Sequence, residues 1–284
     1  MEIKFNNVSY AYNNNTPIKV EALKDINLNF IEGKLTSLIG RSGSGKTTIA
    51  ELCNALLFPQ NGKIGIGSYT LTSKGVNKKD VNKLRVNVGL VFQFPEEQFF
   101  NMTVKEEISF GMKYFKYKTN KIDTRTSEAL KMVGLDDTYL ERNPFTLSSG
   151  EKRKVAIASI LAFNPDVIIL DEPTIGLDSE SKKNLIQLIR KLKTRLNRTI
   201  ILISHDMEIV HAISDYIYVL DKGKIVLEGD KYFVFKQEDE LKEYGIRVPK
   251  IMEFSNKVLK EKGIKIGYRD DINDLIKDIY RYVK

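Results

Sequence analysis

The sequence has one cysteine, Cys53, and two histidines, His205 and His211, in 284 residues. A single cysteine excludes an intramolecular disulfide and any cysteine-based zinc site. It falls on a predicted helix and is expected to be a small buried hydrophobe. No apolar run approaches the roughly 18 residues that a membrane-spanning helix needs. The N-terminal residues show no signal-peptide pattern, and a cytoplasmic protein is expected. Internal repeats, low-complexity tracts and a basic arm are also missing. The net charge is +8, but residues 231–284 hold thirteen Lys/Arg against ten Asp/Glu, which leaves five of the surplus to the first 230 residues. So diffuse an excess argues against a nucleic-acid partner and suits a protein resting on an anionic membrane face. With 42% hydrophobic and 29% charged residues, the chain has the balance of a soluble globular protein holding one large core or two smaller ones.

What is present begins at Gly40, Arg41, Ser42, Gly43, Ser44, Gly45, Lys46 and Thr47, the pattern G-x-x-x-x-G-K-[ST], with Thr48 following. The run Leu35–Ile39 before it reads as a buried strand, and the apolar spacing of 49–57 reads as a helix. Strand, glycine-rich loop and helix form the context that a phosphate-binding loop requires. Glycines let consecutive backbone N–H groups curl round an anion, and the helix N-terminus adds its dipole. Lys46 offers charge to the β- and γ-phosphates and Thr47 a hydroxyl to Mg²⁺. The implied ligands are ATP and Mg²⁺.

Residues 2–10 and 26–31 alternate as half-exposed antiparallel strands, with a loop from Asn13 to Pro17 between them. Tyr12, at the mouth of that loop, is either an adenine-stacking ring or an ordinary strand-end aromatic. Short strands and turns are expected over 58–75, and a buried strand from Val86 to Phe92 ending at Gln93. The aromatic stretch 94–100 follows. Thr103-Val-Lys-Glu106 reads as a capping box opening a helix through Phe115. Residues 116–124 read as loop, with helices at 125–134 and 150–163.

Val167-Ile-Ile-Leu-Asp-Glu-Pro173 is a hydrophobic strand delivering Asp171 and Glu172 at its C-terminal end, where open α/β sheets place their chemistry. Asp171 suits the Mg²⁺ shell, and Glu172 a general base acting on the attacking water. Asp178 sits in a Gly-Leu-Asp turn opening a helix over 179–195. Another buried strand, Thr199–Ile203, ends in Ser204-His205-Asp206, and His205 is read as a γ-phosphate contact. His211, on the next helix, is read as packing. A strand pair over 216–227 closes the sheet. Beyond a boundary near 230, helices near 249–262 and 271–282 read as an accessory segment.

Between Gln93 and Asp171 lies Leu147-Ser-Ser-Gly-Glu-Lys-Arg153. The order of phosphate loop, Gln93, Leu-Ser-x-Gly, Leu-Asp-Glu-Pro, Gly-Leu-Asp and Ser-His-Asp resembles the ATP-binding cassette (ABC) ATPases over about 230 of the 284 residues. The resemblance implies an α/β P-loop NTPase (RecA-like) core with an antiparallel β-subdomain and an inserted helical subdomain near 94–163. A cassette over 1–230 and a C-terminal helical extension over 231–284 follow from it. It implies ATP sandwiched between two cassettes, the phosphate loop of one facing Ser148 and Gly150 of the other. It also implies Tyr12 as the adenine-stacking ring, Asp178 near the nucleotide, and Gln93 as a catalytic and Mg²⁺-ligating link to the partner. Ser149 and Glu151 depart from the usual Leu-Ser-Gly-Gly-Gln. Ser149 puts a Cβ where backbone approaches phosphate. Glu151 either brings a like charge near it or folds back on Ser148 as a capping box.

More narrowly, Gln-Phe-Pro-Glu-x-Gln-x-Phe at 93–100, with Asn15-Thr-Pro17 and Ala22–Leu28, resembles the energy-coupling factor transporter ATPases, closer to the second of their two paralogues. That implies a heterodimer with the paralogous ATPase, docked peripherally on the cytoplasmic face of the membrane. Its partners there would be a transmembrane scaffold subunit and a membrane substrate-binding subunit for vitamins or metals. Glu96 and Glu97 are expected to face the scaffold. A chromosome-maintenance or repair ATPase would insert a long coiled coil between Thr47 and Ser148, and no heptad run is there. A translation-associated cassette usually comes as two in one chain. A non-hydrolysing regulator conflicts with the presence of Glu172 and His205.

Overall fold

The computed structural model describes residues 1–14, 16–116, 119–263 and 272–282. Asn15 of the Asn-Thr-Pro segment lies outside the described residues. The main sheet has six strands in the order β10-β9-β3-β8-β7-β6: β3 (Leu35–Gly40), β6 (Val88–Val91), β7 (Val167–Asp171), β8 (Thr199–Ile203), β9 (Tyr216–Asp221) and β10 (Lys224–Asp230). All neighbours in it run parallel except β9 and β10. Every residue of β3, β6, β7 and β8 is buried, as continuous apolar runs covered on both faces must be. A second, antiparallel sheet, β2-β1-β4-β5, comprises β1 (Ile3–Tyr12), β2 (Val20–Phe30), β4 (Asn61–Ile66) and β5 (Tyr69–Leu71).

The period of two along β7 and β8 builds two cores. Val167, Ile169, Ile201 and Ile203 face α1 (Lys46–Cys53) and the small sheet. Ile168, Leu170, Ile200 and Leu202 face the helices α3 (Val104–Tyr114), α4 (Ile122–Met132), α5 (Ser149–Leu161), α6 (Ser179–Leu196) and α7 (Met207–Ile213). Cys53 is fully buried between the sheets, and burial pushes its thiol pKa up. His211 is buried against Tyr232 and Phe235.

Four readings need correction. The strand expected from Val86 begins at Val88, because α2 (Lys78–Asn87) occupies the preceding residues, capped by Asn77 accepting from Asp80 N. β1 and β2 are longer than their alternation suggests, with register shifts near Asn7 and left-handed backbone at Asn7 and Asp25 (φ 48° and 50°). Bulges of this kind break the period of two. The segment 116–124 is not all loop: Thr119–Lys121 form a 3₁₀ turn and α4 starts at Ile122, residues 117–118 lying outside the described ones. Thr103 does cap α3 through Glu106 N, but the carboxylate that reaches back belongs to Glu107, on Phe100 N and Asn101 N. α3 and α4 have 11 residues each, far short of a coiled coil.

After Asp230 come α8 (Lys231–Lys236), α9 (Glu238–Glu243), α10 (Lys250–Lys262) and α11 (Ile272–Tyr282), residue 271 lying outside the described set. The first three do not stand apart from the sheet. Val234, Phe235, Leu241, Ile246, Val248 and Met252 share one core with Ile39, Ile217 and Val219 of β3 and β9.

Candidate active site

The loop between β3 and α1 meets the C-terminal ends of β7 and β8. Gly45 has φ +109°, and a Cβ there would stand 2.7 Å from the Ala22 carbonyl oxygen, so only glycine fits. Lys46 Nζ donates to the Gly40 and Arg41 carbonyls, both at 2.8 Å, and burial lowers the ammonium pKa. Ser44 is buried and donates its N–H to the Arg41 carbonyl at 3.2 Å. Thr47 Oγ1 donates to Asp171 Oδ2 at 2.9 Å, and burial raises the Asp171 pKa.

The pairing of β7 with β8 sets Asp171 opposite Ile203, so the next residue, Glu172, lies beside Ser204 and His205. Glu172 takes a left-handed backbone, φ 48°, a conformation costing about 1–3 kcal/mol at a non-glycine residue and tolerated where the surroundings enforce it. His205 N donates to Glu172 Oε2 at 3.2 Å. Glu172 Oε1 is buried and makes no hydrogen bond among the described residues, standing 3.3 Å from His205 Nε2. Burial pushes the Glu172 pKa up to about 7 and lowers that of His205. The two therefore meet as a poised acid and a neutral imidazole, with one acceptor atom unspent. That is the equipment of a general base.

A cavity of about 290 Å³ gathers Tyr12, Ser42, Gly43, Gly45, Lys46, Thr47, Thr48, Gln93, Asp171, Glu172 and His205. Gly40 and Arg41 line a larger neighbour of about 860 Å³, which shares Glu172 and His205. Tyr12 reaches Thr48 Oγ1 and Glu51 Oε2, each at 3.1 Å, with its ring edge-on to Tyr10. Ser148, Gly150 and Asp178 line neither cavity. Asp178 caps α6 instead, Oδ1 accepting from Glu180 N and Ser181 N and Oδ2 from Ser181 Oγ. Ser148 and Ser149 are exposed at the start of α5. Glu151 folds back: Ser148 N and Oγ donate to its Oε2 at 2.9 and 2.7 Å, while Tyr139 OH donates to Oε1 at 2.7 Å. The Tyr139 and Ser148 donors hold the Glu151 carboxyl down at about 2.

Two further residues carry the connections between these motifs. Arg153 is 2% exposed; its Nη2 donates to Glu96 Oε1 at 3.0 Å and to the Ile175 carbonyl at 3.1 Å. One guanidinium thus ties the stretch after Gln93, the Leu-Ser-x-Gly helix and the loop after Glu172. Glu96 is therefore engaged inside the chain rather than offered to a partner, while Glu97 is exposed. The available signal was an arginine on the apolar face of α5, between Val155 and the glycine turn, which needs a buried counter-charge.

The family model of the ABC transporters matches residues 23–175. The chain belongs to the ABC transporter family. It is 42% identical over 268 residues to the energy-coupling factor transporter ATP-binding protein EcfA2 of Streptococcus sanguinis (strain SK36), spanning 94% of this chain and 95% of that protein. With EcfA2 of Streptococcus pyogenes serotype M28 (strain MGAS6180) it shares 39% identity over 282 residues, 99% and 100% of the two chains. Among solved structures it is similar to cbiO1 from Clostridium perfringens, part of the ABC transporter complex cbiONQ. The TM-score is 0.74 at 32% identity, covering 89% of this chain and 97% of that one. It is also similar to the ATP-binding cassette MJ0796, a dimer in a post-hydrolysis state with ADP and Pi (TM-score 0.72, 31% identity, 80% and 98% covered). The fold is thus that of a P-loop ABC cassette, and the chain is an ABC ATPase that binds and hydrolyses ATP.

Proposed function

We propose that this chain is the ATP-hydrolysing subunit of an energy-coupling factor importer for a vitamin or another micronutrient, metal ions included. The observation that carries the reading is a site split in two. The phosphate loop, Asp171, Glu172 and His205 share one cavity, whereas the exposed N-terminus of α5 with Ser148 lies outside it. Each half then needs a second cassette, and the likeness to EcfA2 points to the paralogous ATPase as that partner. In this reading Lys46 and the loop amides hold the triphosphate, Tyr12 stacks on adenine, and Glu172 takes the proton of the attacking water. His205 and Gln93 contact the γ-phosphate region. Ser148 and Gly150 close the partner's site, with Asp178 holding the adjoining turn.

Mg²⁺ suits the donor set. Among the described residues no cluster of three or more acidic, histidine or cysteine side chains exists to cage a metal unaided. The Thr47 hydroxyl, the Asp171 carboxylate and the Gln93 amide, which line one cavity, would instead hold a hard cation brought in with the nucleotide's phosphates. When bound, the ion supplies charge neutralisation at the phosphates.

Exposed Glu97, Phe100, Met102, Phe110 and Tyr114 form the surface on which a membrane scaffold subunit would seat at the cytoplasmic face. If the scaffold meets Glu97 with a basic helix, Glu97→Lys is expected to lower substrate uptake by roughly tenfold or more in vesicles holding the assembled complex, because a like charge across an interface costs several kcal/mol. ATP affinity should hold. Normal uptake would remove Glu97 from the interface. The function itself is tested by purifying the chain from membranes and identifying co-purifying proteins by mass. Recovery without a membrane subunit and a second ATPase would refute it.

Ser149 adds an asymmetry. Glu151 is turned away into its capping box, so of the two departures Ser149 alone still stands against the partner's nucleotide. Ser149→Gly should speed the partner-based site by up to about tenfold, roughly 1.4 kcal/mol of barrier. The measurement uses a complex whose other site is blocked by Glu172→Gln, and an unchanged rate would mark the serine as neutral.

A further inference from the structure

Arg41 belongs to the phosphate loop through its backbone, where its carbonyl accepts from Lys46 Nζ and Ser44 N. Its side chain points elsewhere. Nε donates to the Tyr244 carbonyl at 2.8 Å and Nη2 to the Glu243 carbonyl at 3.0 Å. These carbonyls end α9, so a cationic fork meets the negative end of a helix. Gly245 follows with φ +68°, and a Cβ there would stand 2.6 Å from Arg41 Nε. The chain then runs along the core through Ile246 and Val248, which pack with Ile39, the residue before Gly40. At its far end Lys250 N donates to Glu208 Oε1 at 2.9 Å, and Glu208 stands on α7, just past His205. The strap 243–250 is therefore pinned to both catalytic loops. It walls the cavity of about 860 Å³ whose other side carries Glu172 and His205.

We propose that Arg41 is a positioning residue that couples nucleotide occupancy of the phosphate loop to the seating of the strap 243–250. An occupied loop is ordered and holds the guanidinium on the α9 carbonyls. A seated strap in turn fixes the Arg41 peptide, which holds the loop backbone ready for ATP before Lys46 Nζ turns from that carbonyl to the phosphates. Such coupling is reciprocal: nucleotide tightens the strap by the same factor by which the strap tightens nucleotide. The proposal rests on ATP binding by the loop, and on nothing about the transported substrate.

The test uses the full chain, Mg²⁺ and β,γ-imido-ATP, with affinity measured by titration and the strap followed by amide hydrogen exchange. In the wild type the analogue should slow exchange over 244–250. Arg41→Met should weaken binding by about fivefold or more, the lower end of typical coupling factors, and abolish that protection. Arg41→Lys, which keeps the charge without the fork, should fall between. Gly245→Ala should act like Arg41→Met by evicting the guanidinium, and should add nothing on top of it. Gly263→Ala is the control, since Gly263 has the same φ of +68° at the end of α10 with nothing among the described residues within 4 Å of its Cβ. Binding by Gly245→Ala equal to that by Gly263→Ala would overturn the coupling, as would unaltered strap exchange in the loaded wild type. A wild type that fails to bind the analogue would overturn the ATP assignment and the coupling with it.

Discussion

Glu172→Gln is expected to lower the kcat of the assembled ATPase by about 10²–10⁴-fold while ATP still binds, the usual contribution of a positioned general base. The backbone at Glu172 is left-handed and its N–H is held by the Ile203 carbonyl, so the side chain is fixed by the sheet and not by its own charge. Glutamine keeps that geometry and loses the basic oxygen. The pH profile gives the second readout. Burial raises the Glu172 pKa to about 7, so the ionised, proton-accepting form fills only as pH rises through neutrality. The kcat/KM for ATP, which reports the free enzyme, should climb about tenfold per unit below roughly pH 6 and level off above about pH 8. His205, with its pKa lowered, is already neutral over the upper part of that range and adds no second limb there. In Glu172→Gln the acid limb should vanish. A wild-type rate in that variant, or a flat wild-type profile between about pH 5.5 and 8, would move the base elsewhere.

The residues that make this site were legible because their signals are local. The phosphate loop is a contiguous string, and β3, β7 and β8 are unbroken apolar runs whose ends needed only the parallel topology to bring Lys46, Asp171 and His205 together. Where sequence reading failed, the cause lay in structure made at a distance. The α2 segment carries few apolar residues and is set by an Asn77 cap and the burial of Leu84. Asn7 and Asp25 step out of strand conformation and shift the phase of their strands, so alternation understates β1 and β2. Glu96 looked like a surface carboxylate because its counter-charge, Arg153, is 57 residues away and on another element. Likewise α8–α10 lack any motif, yet their apolar residues complete a core begun by Ile39 some two hundred positions earlier. The signature departures divide in the same way. The capping box of Glu151 follows from a spacing of three, whereas the Tyr139 hydroxyl that completes its solvation does not.

Lys46→Met should weaken MgATP binding by roughly 10–150-fold, the equivalent of the 1.5–3 kcal/mol carried by a hydrogen bond to a charged group. The same change should leave the melting temperature of the nucleotide-free chain unchanged or slightly raised. Lys46 is 6% exposed and its ammonium is satisfied by two carbonyls, yet burial lowers its pKa, so the fold holds the charge at a cost. Replacing a buried charge by an apolar side chain of similar length is often neutral or stabilising, and here the abandoned Gly40 and Arg41 carbonyls set the limit to any gain. The two readouts separate a ligand-directed lysine from a structural one. A structural lysine would lose stability and binding together. A lysine kept for phosphate would lose binding alone, because its Nζ must leave those carbonyls for the γ-phosphate when nucleotide arrives. Calorimetric titration and thermal denaturation of the same preparation decide between them. A fall in melting temperature matching the loss of affinity would show that Lys46 serves the loop and not the nucleotide.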